Sequence, residues 1–183
     1  MKKSPVITVV AIGIGAALFF VLGRFVSIPM PVIPNTNVSL QYGLLAFMAA
    51  LFGPFAGALI GLIGHTLIDF TYGSIWWSWV VTSGVVGLVT GLASKKMHLD
   101  DGEFSTKDCL WFNLFQVVAN AISWGLIAPV LDIVIYAEPA NKVFAQGLYA
   151  GISNIVTTAV VGTLLCVAYA SAKPRKGSLK EEK

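Results

Sequence analysis

Charged residues are scarce in this sequence. Asp, Glu, Lys and Arg together make up 11% of its 183 residues, whereas a soluble domain carries about 25%. Hydrophobic residues make up 56%, and the mean hydropathy is +0.80. So little charge cannot cover a water-exposed surface, which excludes an ordinary soluble domain. The length suits one bundle of roughly six membrane spans of ~20 residues each, with no room for a second domain.

Cysteines and catalytic motifs are equally scarce. The two cysteines, Cys109 and Cys166, have a spacing that indicates neither a disulfide framework nor a metal site. The chain has no HExxH, GxSxG or Walker A pattern, and no closely spaced pair of acids within an apolar run. The sequence therefore predicts a protein that is not an enzyme and that uses no metal or cofactor. Uphill transport would need energy from another subunit.

Long apolar runs are what the sequence does contain. The first run could pass for a signal peptide because Lys2 and Lys3 precede it, but no small-residue cleavage pattern closes it, so we interpret it as a mature helix. Three prolines at 28–34 (IPMPVIP) end this helix in a structured loop. The predicted fold is an all-α membrane bundle. Its six spans are placed at 6–26, 38–52, 55–70, 74–93, 108–137 and 143–172, with a polar loop at 95–107 and a charged tail at 173–183.

The positive charges predict the orientation of this bundle. If the N-terminus is cytoplasmic, the inner segments hold ten Lys and Arg residues, and the outer segments hold only Arg24 and Lys142. Cytoplasmic segments of membrane proteins carry such an excess. We therefore place both termini in the cytoplasm and attribute the net charge of +3 to topology rather than to nucleic-acid binding.

Polar side chains interrupt the apolar runs. Within 108–141, Gln116, Asn120 and Trp124 are spaced by four residues and share one helical face. Carboxamides in hydrocarbon need partners, so this face should meet other helices, a cavity or a ligand. Polar and aromatic residues gather towards the outer ends of the spans, which predicts a cup open to the outside rather than a pore. The predicted substrate-binding residues are Gln41, Tyr42, His65, Asp69, Trp77, Trp79, Gln116, Asn120, Trp124 and Asn154.

Structural interpretations of these polar residues stay open. Gln116 and Asn120 could hold helices together, as interhelical amides do. His65 and Asp69 are four residues apart, so they could form a buried pair with each other or bond to Arg24.

The outer aromatic residues and Asp132 have alternatives as well. Trp76, Trp77 and Trp79 could form an interfacial belt, with one of them stacking on a ligand ring. Asp132 could be a helix-end partner for Lys142.

Small residues recur at helical spacing in the first span. Ala11/Gly15 and Gly13/Ala17 each allow another helix to approach closely. This approach is either packing within the bundle or docking of a separate membrane subunit. Similar pairs occur at Gly57/Gly61 and Gly87/Gly91.

Five segments carry a resemblance to a known family. They are PxPVIPNTNVSLQY (29–42), FGPFAGALIGLIGHTLIDF (52–70), GSIWWSWV (73–80), FNLFQVVANAISWGLIAPVLDI (112–133) and EPANKVFAQGLYAGISN (138–154). Together they resemble the substrate-binding S components of energy-coupling factor (ECF) vitamin transporters. They look like the formerly uncharacterised subgroup associated with hydroxymethylpyrimidine or vitamin B6.

The resemblance implies a mechanism. S components capture a vitamin tightly in an outward-facing pocket capped by the loop between helices one and two, here 27–37. They dock through small residues of helix one onto a transmembrane coupling subunit that is tied to two cytoplasmic ATPases, and then topple to deliver the cargo. Ala11 and Gly15 match the docking positions, although Gly15 stands where the family commonly has Ala.

The residues favour a small planar ring as cargo. Trp faces stack on aromatic rings, and carboxamides pair with ring nitrogens and hydroxyls. Pyridoxine and hydroxymethylpyrimidine both fit this description. Two rival hypotheses are a stand-alone secondary transporter driven by protons through His65 and Asp69, and a membrane-embedded enzyme that uses this pair as acid and base.

Overall fold

The computed structural model describes residues 4–31, 33 and 36–173. Most of the predicted tail at 173–183 and part of the predicted cap at 27–37 lie outside these residues. Within these described residues, four helices are long and apolar enough to cross a membrane. They are α1 (Pro5–Phe25), α4 (Trp77–Gly91, continued by a 3-10 turn at Leu92–Lys95), α5 (Thr106–Tyr136) and α6 (Ala140–Ala172).

Two further apolar helices are shorter. They are α2 (Gln41–Phe52) and α3 (Pro54–Phe70), and a tight turn at Gly53, with φ of 92°, joins them. At 1.5 Å per residue, α2 is only about 18 Å long, less than the ~30 Å of a bilayer core. Ten of its twelve residues are buried. Neighbouring helices therefore surround α2, and its length does not have to match the thickness of the lipid.

The connection between α1 and α2 contains a small antiparallel hairpin that was predicted only as a structured loop. β1 (Ser27–Pro29) pairs with β2 (Asn37–Ser39), with Ile28 opposite Val38. The backbone N–H of Met30 extends this pairing by donating to the carbonyl of Thr36 at 2.9 Å. The strand occupies the beginning of the predicted second span, and α2 therefore begins at Gln41 rather than at 38.

The contact between α3 and α4 depends on glycine. A Cβ atom placed on Gly57 would overlap the carbonyl of Gly87, and one placed on Gly87 would overlap the carbonyl of Gly57. Gly61 lies equally close to the backbone of Ser83. Because no side chain separates the two backbones, these small-residue pairs serve packing within the bundle.

The small residues of α1 point in two directions. Ala11 is 6% exposed, and a Cβ on Gly15 would lie 2.7 Å from Cδ1 of Ile60 on α3. Gly13 has no atom within 4 Å of its Cβ position, and Gly13 and Ala17 are both exposed. The structure therefore places the pair predicted for docking inside the bundle and leaves the other pair on the outer surface.

Both long C-terminal helices contain a π-helical turn. In α5 it spans Ser123–Ile127, two residues before Pro129, and in α6 it spans Thr158–Gly162. Proline has no backbone N–H to donate to the preceding turn, and a π turn accommodates the lost hydrogen bond. The π turn in α5 also rotates the side chains that follow Asn120 relative to a regular α-helix.

Candidate functional site

A cavity of about 600 Å³ opens where α1, α3 and α5 end and α2, α4 and α6 begin. The hairpin contributes Pro29, Asn37 and Ser39 to its wall. Sites that hold small molecules in proteins have volumes of roughly 300–1,000 Å³. Seven of the predicted substrate-binding residues line this cavity: Gln41, Tyr42, His65, Asp69, Trp79, Trp124 and Asn154.

Aromatic rings form one wall of the cavity. Trp124 meets Tyr42 with ring centroids 5.5 Å apart and meets Trp79 with centroids 5.1 Å apart, both in edge-to-face geometry. Phe19 supports Tyr42 from behind at 5.4 Å. Tyr42 and Trp124 are almost fully buried, so the bundle itself fixes their ring planes.

His65 links three helices beside this wall. Its Nδ1 lies 2.6 Å from Oγ of Ser83, which is also 2.8 Å from the hydroxyl of Tyr42. Its Nε2 lies 3.6 Å from Oδ1 of Asp69 on the same face of α3. Arg24, the alternative partner for this pair, instead donates from Nε to Oγ1 of Thr71 at 3.0 Å.

Asp132 has different partners from those considered in the sequence. It is 2% exposed and accepts hydrogen bonds from Nε1 of Trp76 at 2.7 Å, from Nε1 of Trp79 at 3.0 Å and from Oγ of Ser78. Lys142 pairs with Glu138 instead, at 2.7 Å and one helical turn away. Three neutral donors from the start of α4 therefore hold this carboxylate against the cavity.

Two of the three tryptophans at the start of α4 line the cavity. Trp76 and Trp79 are three residues apart, share one face and both line it. Trp77 points away and is 52% exposed, and its backbone N–H donates to the hydroxyl of Tyr136 at 2.8 Å. The sequence predicted Trp77 and Trp79 as substrate-binding residues, whereas the structure places Trp76 and Trp79 at the cavity.

Gln116 and Asn120 are fully buried but are not among the residues that line the cavity. Asn120 donates from Nδ2 to the carbonyl of Gln116 at 2.9 Å, and Gln116 donates from Nε2 to the carbonyl of Ile155 on α6 at 3.4 Å. Their face of α5 therefore lies against α6. Trp124, four residues further along, also packs its Cβ against α6 near Gly151, and it lines the cavity.

Two polar atoms of the cavity wall lack a partner among the described residues. They are Oε1 of Gln41 and Nε1 of Trp124. Gln41 reaches across the position that a Cβ on Gly23 would occupy. Buried polar atoms in proteins are normally paired, so these two atoms of cavity-lining residues can gain a ligand partner when their side chains turn towards the cavity. Within the described residues, no group of three His, Cys, Asp or Glu side chains could hold a metal ion.

Comparison with known proteins identifies the family of this chain. The model of the family "ECF-type riboflavin transporter, S component" matches residues 3–171. A UPF0397 protein of Enterococcus faecalis (strain ATCC 700802 / V583) is 58% identical over 182 residues, which cover 99% of both chains. UPF0397 proteins of Staphylococcus aureus strains MSSA476 and MRSA252 are 53% and 54% identical over the full length of both chains.

The predicted resemblance to S components is thus confirmed at the level of the family. A membrane-embedded binding subunit requires helices long enough to cross a membrane. It also requires a cavity lined by polar and aromatic side chains, and the structure has both. The chain belongs to the family of ECF-type riboflavin transporter S components, the membrane subunits that bind a vitamin for import, and it is a transport protein rather than an enzyme.

Proposed function

We propose that this S component captures a small aromatic heterocyclic vitamin from outside the cell and delivers it inward after docking to a coupling subunit and two ATPases. The observation that carries the proposal is the cavity of about 600 Å³, whose wall combines aromatic rings with an unpaired donor and an unpaired acceptor. Rings supply the buried contact area, and the few polar atoms fix the orientation of the ligand.

The charge distribution supports an outward-facing cavity. Arg24 and Lys142 lie at the cavity end, at the end of α1 and the start of α6. The other ten Lys and Arg residues belong to segments assigned to the opposite side. Under the positive-inside rule, this distribution supports a cavity that faces outside and termini that lie in the cytoplasm. We propose that α1–α6 form six spans in this orientation. In this orientation the hairpin at 27–39 is the cap.

The proposed cargo is of the hydroxymethylpyrimidine or pyridoxine type. A single heterocycle can lie against the aromatic wall formed by Trp79 and Trp124, which contact each other edge to face. Its hydroxyl and amino groups can donate to Oε1 of Gln41, and its ring nitrogen can accept from Nε1 of Trp124.

Riboflavin is the second candidate cargo. The matching family is described as a riboflavin transporter component, and a volume of about 600 Å³ exceeds the need of a single ring. A three-ring flavin with its ribityl chain would use more of this space. The choice between the two cargo types therefore depends on measured affinity.

The proposed docking surface is the outer face of α1. It carries Gly13 and Ala17 among exposed apolar residues such as Ile14 and Leu18. Small residues on that face let a helix of the coupling subunit approach closely. This assignment replaces Ala11 and Gly15, because both are packed inside the bundle.

Calorimetric titration of the purified protein in detergent tests the proposal. Pyridoxine, hydroxymethylpyrimidine and riboflavin are each titrated, and one of them is expected to bind tightly at one molecule per chain. The control protein carries Tyr42→Ala and Trp124→Ala, which remove two walls of the cavity. Equal heats with the control, or no binding of any of the three, would contradict substrate capture through this cavity.

A second experiment tests the energy source. The cargo identified by calorimetry is offered to vesicles that contain this chain with or without the coupling subunit and ATPases. ATP-dependent uptake only with the full set of subunits is the expected result. Uptake by the chain alone, driven by a pH gradient, would instead support a stand-alone proton-coupled transporter that uses His65 and Asp69.

A further inference from the structure

The cavity contains more negative than positive charge. Asp69, Asp132 and Glu138 line it, and Lys142 is the one Lys or Arg residue among the lining residues of the described chain. Lys142 pairs with Glu138 at 2.7 Å, so these two charges cancel. Among the described residues, neither Asp69 nor Asp132 has a Lys or Arg partner. We propose that the cargo is an aromatic heterocycle with a positive charge and that the cavity rejects phosphorylated heterocycles. This proposal rests on the proposed function.

The partners of Asp132 are all neutral. Its oxygens accept from two indole N–H groups and one serine hydroxyl, an arrangement that suits an ionised carboxylate, which can only accept hydrogen bonds. Among the described residues no Lys, Arg or His lies within ion-pair distance of it. Neutral donors solvate a buried charge but do not cancel it, so its field extends into the cavity.

Asp69 is the carboxylate that can touch the cargo. Its side chain is 14% exposed, and each of its two oxygens has one polar contact among the described residues. The backbone N–H of Trp76 donates to Oδ2 at 2.9 Å, and Nε2 of His65 lies 3.6 Å from Oδ1. Trp76 therefore bonds to Asp69 through its backbone and to Asp132 through its indole, which keeps both carboxylates at one cavity wall.

The aromatic rings beside these carboxylates suit the same ligand. The rings of Tyr42, Trp79 and Trp124 offer π-faces, which attract a cation when water is excluded. Oε1 of Gln41 adds an unpaired acceptor, which favours an N–H or O–H donor. Nε1 of Trp124, on a cavity-lining residue that is 1% exposed, is a buried donor without a partner among the described residues, and a ligand acceptor would complete its pairing. A nitrogen heterocycle with one charged and one neutral nitrogen provides all of these groups.

A binding panel in detergent tests the charge preference. The probes are thiamine, with a fixed positive ring, pyridoxine, with a ring nitrogen that can be protonated, riboflavin, which is neutral, and pyridoxal 5′-phosphate, which is anionic. The expected result is that a cationic or protonatable probe binds at least about tenfold more tightly than riboflavin, and that the phosphate ester shows no binding. Tighter binding of riboflavin or of the ester would overturn the charge preference and leave vitamin capture standing. Binding of none of these probes, together with no binding of hydroxymethylpyrimidine in the calorimetric titration above, would overturn the proposed function itself.

Variants connect the preference to the two carboxylates. Asp69→Asn and Asp132→Asn are isosteric, and each is expected to reduce the ratio of cation to riboflavin affinity by about tenfold. Asp100→Asn removes an acid that does not line the cavity and should leave the ratio unchanged. If the Asp132→Asn protein does not fold, the Asp69→Asn protein still tests the charge preference, because Asp69 is more exposed than Asp132. An unchanged ratio in Asp69→Asn would refute the proposal.

Discussion

Replacing Gly15 by Leu separates packing from docking on α1. A Cβ on Gly15 would already lie 2.7 Å from Cδ1 of Ile60 and 3.2 Å from Cε of Met48, and Leu adds three more carbons in that direction. Overpacking costs about 3 kcal/mol at the upper end of its usual range. The better helix propensity of Leu over Gly recovers about 1 kcal/mol. The expected net loss is about 2 kcal/mol.

This loss is measurable as a shift in thermal unfolding. For chains of this size, Tm falls by about 2–4 °C per kcal/mol, so Gly15→Leu should unfold about 4–8 °C below the wild type in detergent. Gly13→Leu is the matched control, because its Cβ position is open. It should unfold about 2–4 °C above the wild type, because it gains helix propensity without overpacking, and it should abolish co-purification with the coupling subunit. A Gly15→Leu protein with an unchanged Tm that fails to co-purify would refute the assignment of Gly15 to internal packing.

Two further substitutions test the site. Trp124→Phe keeps an aromatic ring but removes Nε1–H, so cargo affinity should fall by about tenfold, as expected for one lost hydrogen bond; unchanged affinity in calorimetry would show that this N–H does not contact the cargo. Asn120→Ala should lower Tm, because Asn120 bonds within α5 and lies outside the cavity, and it should leave cargo affinity within about twofold. Loss of affinity at an unchanged Tm would instead return Asn120 to the binding site.

The sequence by itself determined the class of protein. Composition and apolar runs bounded by Pro and Gly predict membrane helices, because hydrocarbon requires about 20 apolar residues per span. Polar side chains such as His65 and Asp69 stand out in those runs, since burying them is costly without partners. The presence of polar side chains in apolar runs can be read from the local sequence, and it predicted seven of the residues that line the cavity.

The tertiary structure decided which neighbour each helical face meets. At the start of α4, the cavity is lined by Trp76, the residue before the first helical turn, and not by Trp77. Asp132 accepts hydrogen bonds from the indoles of Trp76 and Trp79, whereas Lys142 pairs with Glu138. The same holds for Gly15, whose spacing fits docking and packing equally well. Helical periodicity fixes which residues share a face, but the partner of that face comes from distant segments. A π turn can also rotate a side chain out of the regular pattern.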